Sequence, residues 1–255
     1  MKRPGSVLIT GATGGIGAAL ALAYAAPSTT LILQGRREDR LADIAAQCQA
    51  RGARVLTRVL DVRDIEALDQ WLAEVCAAGV PDLAIVNAGV NIHARADGQG
   101  EDVAEARMLI DVNVRAAMAT VQGVLPHMRA RRRGQVALIS SLAAWRGLPE
   151  TPSYSASKAA LKAYGEAMRD AMAPFGVQLN VIMPGYVASP MCDAMPGPKP
   201  FLWQPARAAA RIRRGLAANR ARISFPFPLN FGCWLLAGIH PAVSGFILRR
   251  LGYRE

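Results

Sequence analysis

Short aliphatic runs at residues 7–10, 31–34, 55–60, 83–86, 136–139 and 177–183 alternate with longer, alanine-rich segments. Runs of that length suit strands buried on both faces, whereas the intervening segments at 15–25, 38–51, 65–77, 101–127 and 153–175 suit helices. Strands that are each followed by a helix must pair in parallel through right-handed crossovers, which places helices on both faces of a single sheet. The expected fold class is therefore α/β, with a doubly wound parallel sheet.

A chain of 255 residues suits one large domain of this kind. Its 52% hydrophobic content and mean hydropathy of +0.17 exclude a disordered or collagenous chain. No internal repeat and no Gly-, Ser- or Pro-rich linker divides the first two-thirds. After Pro184 the composition turns richer in Pro and Arg, and no further strand is expected. We read residues 1–190 as the core, with residues 191–255 as a substrate lid and an apolar, basic C-terminal segment of the same domain.

Thirty basic against nineteen acidic residues give a net charge of +11 and a pI near 10.2. Phosphate-bearing ligands, an anionic membrane surface and nucleic acid each account for such a balance. Cys48, Cys76, Cys192 and Cys233 lie far apart with no CxxC pair, and His93, His127 and His240 show no ligand spacing. Free thiols and no metal site are expected. Met1-Lys2-Arg3-Pro4-Gly5-Ser6 leads into a strand without an apolar signal region, which predicts a cytoplasmic protein.

Between the first strand and the first helix stands Thr10-Gly11-Ala12-Thr13-Gly14-Gly15-Ile16-Gly17. Missing side chains let a backbone turn sharply and approach a pyrophosphate at a helix N-terminus. Far along the chain, Tyr154 and Lys158 stand four residues apart in a helical segment, so both can face one spot. A lysine ammonium beside a phenol favours the phenolate, which makes Tyr154 a candidate proton donor and acceptor.

The G-x-x-x-G-x-G loop together with Tyr154 and Lys158 resembles the short-chain dehydrogenase/reductase family. The resemblance runs from Val7 to about Pro190 and implies a Rossmann-type core. Asp61-Val62 looks like the family's adenine-contacting pair, and Asn87-Ala88-Gly89 like its strand-end motif beside the cofactor. Asn113 matches the helix asparagine that supports a proton-relay water. Ser141, thirteen residues before Tyr154, matches the serine that hydrogen-bonds the substrate oxygen. Pro184-Gly185-Tyr186-Val187-Ala188-Ser189 matches the loop around the nicotinamide, with Ser189 where threonine is commoner.

The resemblance implies that Asn113, Ser141, Tyr154 and Lys158 are catalytic. Cofactor contacts would come from Gly11, Thr13, Gly15, Ile16, Asp61, Val62, Asn87, Ala88, Gly89, Tyr154, Lys158, Pro184, Gly185, Val187 and Ser189. An acidic residue at the end of the second strand would select NAD, but that strand ends Gln34-Gly35-Arg36-Arg37. Arg36 and Arg37 offer guanidinium groups to a 2′-phosphate instead, Arg36 being nearer the strand. The expected cofactor is NADP(H), in a homodimer or homotetramer. The expected substrate is a small-molecule carbonyl or alcohol of apolar, lipid-, retinoid- or steroid-like character, which the tail's resemblance to that of such family members implies. A non-catalytic NADPH sensor and a sugar-nucleotide epimerase or dehydratase are the rival readings.

The family's usual threonine–glycine segment and Asp-Gly-Gly ending are missing from the tail. Residues 223–248 carry no charge and are flanked by Arg220, Arg222, Arg249 and Arg250. The stretch exceeds the ~20 residues of a bilayer span, but Pro226, Pro228, Asn230, His240, Pro241 and Ser244 interrupt it. Peripheral membrane contact through residues 223–250, at the cytoplasmic face, competes evenly with a role as pocket cover or dimer interface. Residues 148–151 and 191–203 are expected to border the pocket; Trp145, Met191, Met195 and Trp203 make it apolar where they face inward, the alternative for each being a place in the core. Arg129-Ala130-Arg131-Arg132-Arg133 reads as a solvated helix cap, and no aromatic interleaving supports nucleic-acid binding.

Overall fold

The computed structural model describes residues 3–94, 100–195 and 197–250. Met1 and Lys2 of the basic opening, and Pro196 within the expected pocket border, lie outside them. In chain order the elements are β1 (Ser6–Ile9), α1 (Gly15–Tyr24), β2 (Thr30–Gly35), α2 (Glu38–Gln49), β3 (Arg54–Val59), α3 (Ile65–Ala78) and β4 (Leu83–Val86). Then come α4 (Val103–Ile110), α5 (Ala116–Ala130), β5 (Gly134–Ile139), α6 (Pro152–Met172), β6 (Val177–Pro184) and α7 (Pro190–Asp193). The chain continues through α8 (Pro205–Ala217), β7 (Arg222–Phe225), α9 (Leu229–Gly238) and α10 (Pro241–Arg250).

All seven strands form one parallel sheet in the order β3-β2-β1-β4-β5-β6-β7. Successive strand residues point to opposite faces, so each apolar run feeds two cores. Val7 and Ile9 pack with Leu20, Leu41, Ile44, Ile212 and Leu216 under α1, α2 and α8. Leu8, between them, packs with Leu72, Val121, Val124 and Leu161 under α3, α5 and α6. Helix starts are signalled locally: Asp64 Oδ1 accepts from the Ala67 amide, and Asp102 Oδ1 from those of Ala104 and Glu105.

Three expectations change. The helix read at 101–127 is α4 and α5 joined by one π-helical turn, Asp111–Arg115, with Asn113 inside it. Among the described residues, only this 28-residue rod, Val103–Ala130, is long and apolar enough to cross a membrane; half of its most apolar stretch is buried inside the fold. Second, the tail does add a strand. β7 is four residues long beside charged neighbours, and only its register against β6, Val181↔Arg222 to Pro184↔Phe225, makes it recognisable. Ile223 and Phe225 are buried there, and Phe225 stacks on Trp203 with ring centroids 5.0 Å apart.

Third, the arginines at the end of α5 do cap that helix, and Arg129, Arg132 and Arg133 are exposed as read, but their guanidinium heads also have protein partners. Arg131 donates to Val80 O at 2.8 Å and Pro81 O at 2.7 Å, and Arg133 to Asp82 at 2.9 Å. Arg132 donates to Pro174 O at 2.9 Å, and Arg129 lies over the Phe175 ring. Each guanidinium fork closes a loop that has no ladder of its own.

A buried polar network fixes the approach to β7. Asn180 on β6 donates to Asn219 Oδ1 at 3.1 Å and Arg220 O at 2.8 Å, and accepts from Gln135 Nε2 at 2.8 Å. Arg169 donates to both the side chain and the carbonyl of Asn219 at 3.0 Å. Asn180→Leu deletes three hydrogen bonds at a fully buried position, which should cost about 2–4 kcal/mol. Urea unfolding would register this as a lower midpoint with an unchanged slope.

Candidate active site

The order of strand addition reverses between β1 and β4, and the glycine loop lies at that crevice. Gly11 has φ 66°, and a Cβ there would stand 2.7 Å from the Ala88 Cα. A Cβ on Gly15 would stand 2.9 Å from that of Ser189. The loop is thus bare because strand ends press on it from two sides. Asn87 Nδ2 donates to Thr10 O at 3.1 Å and Gly11 O at 2.9 Å, while Thr10 Oγ1 accepts from the amides of Asn87 and Ala88. Gly14 caps α1 with no side-chain hydrogen bond, and no acid stands in its first turn, so its positive pole faces open space.

Gly11, Thr13, Gly15 and Ile16 line a cavity of about 990 Å³ together with Arg36, Arg37, Asp61, Val62, Asn87, Ala88 and Gly89. Ser141, Tyr154, Lys158, Pro184, Gly185, Val187 and Ser189 line the same cavity. Of the residues read from the sequence as catalytic or cofactor-binding, Asn113 alone is not on its wall. Gln34 accepts from the Gly11 amide at 3.0 Å, and Arg37 donates to Thr13 O at 2.8 Å, so both tie β2 to the loop. Arg36 is freer, with its guanidinium 3.8 Å from Asp61 Oδ2 and its side chain 55% exposed. Asp61 is gripped by Arg63 Nη2 at 2.7 Å, and that hydrogen bond holds its carboxyl below the usual range.

Lys158 is buried, and its Nζ donates to Ile139 O at 3.0 Å. Burial lowers its pKa from 10.5 to about 8. Nζ lies 5.5 Å from the centre of the Tyr154 ring. The expectation that Lys158 depresses the Tyr154 pKa is not met here. Burial pushes that phenol up, and the partial relief comes from a hydrogen bond with Ser141. Ser140 Oγ donates to Lys158 O at 2.6 Å, fixing the helix turn that carries the lysine.

Asn113 is fully buried in the π-helical turn. Its Oδ1 accepts from Val90 N at 2.8 Å, and its Nδ2 donates to Val90 O at 2.9 Å and Ser157 Oγ at 3.1 Å. The side chain clamps the end of β4 to α6. A Cβ on Gly89 would meet Asn113 Oδ1 at 3.2 Å and Lys158 Nζ at 3.3 Å, so that glycine lets the two close up.

The outer wall of the cavity is apolar, with Leu148, Met191, Met195, Leu229, Leu236 and Leu248 on it. Of the four residues read as facing either the pocket or the core, Met191 and Met195 line the cavity, and Trp145 and Trp203 do not. Trp203 stacks on Phe225, and Trp145 packs against Leu142, Val181 and Met183 beneath the Lys162 and Arg222 side chains. Sequence reading missed Asn91, Arg146 and Arg63. Asn91 lines the cavity, and its buried Nδ2 has no partner among the described residues. Arg146 Nε reaches Ser244 Oγ at 2.9 Å, tying α10 to the segment after Ser141. The adjacency of Asn91 to the Asn-Ala-Gly motif was the one local signal available.

The family model described as short chain dehydrogenase matches residues 6–197. An uncharacterised oxidoreductase of Myxococcus xanthus is 36% identical over 225 residues, 88% of each chain. Two solved structures share the fold. A Mycobacterium paratuberculosis short chain dehydrogenase bound to NAD has TM-score 0.79 at 24% identity, over 91% of this chain and all of that one. A Sphingobium yanoikuyae short-chain dehydrogenase in complex with NADPH has TM-score 0.81 at 22% identity, over 95% and 94%. The chain belongs to the short-chain dehydrogenase family and is an oxidoreductase.

Proposed function

We propose that this protein is an NADP(H)-dependent oxidoreductase that interconverts an apolar ketone or aldehyde with its alcohol. The observation that carries this reading is one continuous cavity lined by the bare glycine loop, Arg36, and the Ser141, Tyr154 and Lys158 group. A dinucleotide fits these residues, since side chains at Gly11 and Gly15 would strike Ala88 and Ser189, and the uncapped α1 pole suits a pyrophosphate. Relatives of this fold have been solved with NAD and with NADPH. The choice in this chain falls to Arg36, in the absence of an acid at the end of β2.

When bound, the nicotinamide supplies the hydride. Gly11, Thr13, Gly15 and Ile16 would hold the pyrophosphate, Asp61 and Val62 would contact the adenine, and Asn87, Ala88 and Gly89 would support the loop. Pro184, Gly185, Val187 and Ser189 would hold the nicotinamide, and Lys158 its ribose. Ser141 Oγ donates a hydrogen bond to the substrate oxygen, stabilising charge as it develops there. Tyr154, neutral because burial raises its pKa, delivers its proton to that oxygen during reduction and accepts it during oxidation. Asn113 acts by position, holding Val90 and Ser157 so that Lys158 keeps its place. The apolar outer wall favours a lipid-, retinoid- or steroid-like substrate.

Tyr154→Phe keeps the ring and removes the proton. Turnover should fall by ~10²–10⁴, with NADPH affinity by fluorescence titration nearly unchanged. Near-normal turnover would remove Tyr154 from the mechanism, and tight NADPH binding without turnover in the parent protein would favour a sensor.

Arg36→Ala should weaken NADPH by roughly ten- to a hundredfold, the worth of one charge-assisted hydrogen bond, and leave NADH alone. A parent protein that prefers NADH, or an unchanged ratio in the variant, contradicts the assignment.

A lysine with a pKa of about 8 is charged below that pH and neutral above it. Carbonyl reduction should therefore decline as pH rises through about 8, when the ammonium that would hold the nicotinamide ribose is lost. The chain has only four lysines. Lysine-selective ¹³C NMR should thus resolve one that titrates near 8; four titrations all near 10.5 would refute the assignment.

A further inference from the structure

Helix α9 has an unusual surroundings problem. Its ten residues, Leu229–Gly238, include no charged side chain and none that is buried. Leu229, Cys233 and Leu236 face the cavity. Trp234 and Leu235 point the other way and are 51% and 52% exposed. A helix that is apolar on every side is ordinarily enclosed by protein or by lipid. Beside it Phe227 is 78% exposed, and on α10 Val243 and Phe246 are 49% and 52% exposed. The outward apolar surface is thus continuous in sequence across the loop before α9 and both helices. Patches of such large side chains mark interaction surfaces.

Charge at the rim identifies the occupant. Residues 223–248 carry no ionisable Asp, Glu, Lys or Arg, and Arg249 and Arg250 follow at once. Both arginines are exposed, and neither forms an ion pair with a carboxylate among the described residues. Arg250 lies over the Phe246 ring, 5.3 Å from its centre, so charge and apolar surface share one edge. A two-fold contact through this surface would bring the arginines against a second molecule that itself has net charge +11. An anionic lipid surface accepts both features, with arginines at the phosphates and rings at the acyl boundary.

We propose that α9 and α10 are a membrane-docking lid: their outer faces seat on an anionic bilayer while their inner faces wall the cavity. Arg146 and Ser244 hold α10 to the segment after Ser141, so the docked surface and the reacting end of the cavity move as one. The lid would admit a carbonyl or alcohol dissolved in the lipid. That last clause rests on the oxidoreductase reading above, whereas the docking does not.

The test is sedimentation of the full-length protein with vesicles of phosphatidylcholine alone and of phosphatidylcholine mixed with phosphatidylglycerol. Binding is expected to the anionic vesicles, and raised salt should weaken it. Trp234→Ser/Leu235→Ser/Phe246→Ser changes only outward positions and should lower the partition by more than about tenfold. Turnover of a water-soluble carbonyl should stay at the parent level. Arg249→Gln/Arg250→Gln, which leaves the apolar surface intact, should lower the partition roughly five-fold per charge. This pair reports even if the triple variant does not fold. No binding to anionic vesicles at low salt, or binding that neither variant weakens, overturns the proposal. So does a dimer in size exclusion that the triple variant dissociates while vesicles capture nothing. Docking with no turnover of any carbonyl would leave the lid standing and count against the enzyme reading instead.

Discussion

Between β1 and β4 the sheet reverses its order of strand addition, and every feature of the site follows from how closely those two strand ends meet. Thr10 and Asn87 end the two strands and bond each other's backbone. That mutual grip draws Ala88 onto Gly11, so the loop has no room for a side chain at that point. The bared loop in turn leaves the α1 N-terminus with unsatisfied donors facing a cavity. The open helix end is therefore a by-product of strand-end packing rather than an added part.

The second consequence of the same crevice is a buried ammonium. Lys158 is 4% exposed, and its hydrogen-bond partner in the structure is the Ile139 carbonyl, with no carboxylate in ion-pair reach among the described residues. Desolvation destabilises the charged form, which is why its pKa falls toward neutrality. The surroundings that hold it there are dipolar: Asn113 in its π-helical turn, Ser157 bridging to α6, and Ser140 on the lysine's own carbonyl. An extra residue in a helix costs regular hydrogen bonding. Here it aims the Asn113 amide at the strand end instead.

The first two-thirds of the fold is legible because its central strands are buried on both faces and are therefore apolar almost throughout, whereas the edge strand β3 is largely exposed and carries Arg54 and Arg58. β5, buried from Gly134 to Ile139, is the clearest case. β7 was illegible because Arg222 and Ser224 interrupt its apolar pair, and its identity lies in pairing with β6. The residues that could be named as site candidates are those that serve a motif with fixed spacing, such as Gly11, Gly15, Tyr154 and Lys158. Those that serve it through contacts distant in sequence, such as Arg63 on Asp61 or Arg146 on Ser244, leave no local pattern. Whether Trp145 and Trp203 face the pocket or the core could not be decided from sequence for a related reason. An aromatic residue near a pocket is equally at home under it, and Phe225 on the unrecognised strand supplies Trp203 with its partner.

The arginines that close loops bear on kinetics as well as on shape. Arg131 and Arg132 spend their donors on the carbonyls of Val80, Pro81 and Pro174, and Arg37 donates to Thr13 O. A carbonyl satisfies a guanidinium without cancelling its charge, so stitching built this way is compatible with the net charge of +11 that the chain carries. That charge acts beyond any one contact. A dinucleotide with several negative phosphate oxygens is drawn in from solution by the whole field, and its encounter rate is governed by ionic strength as much as by the glycine loop.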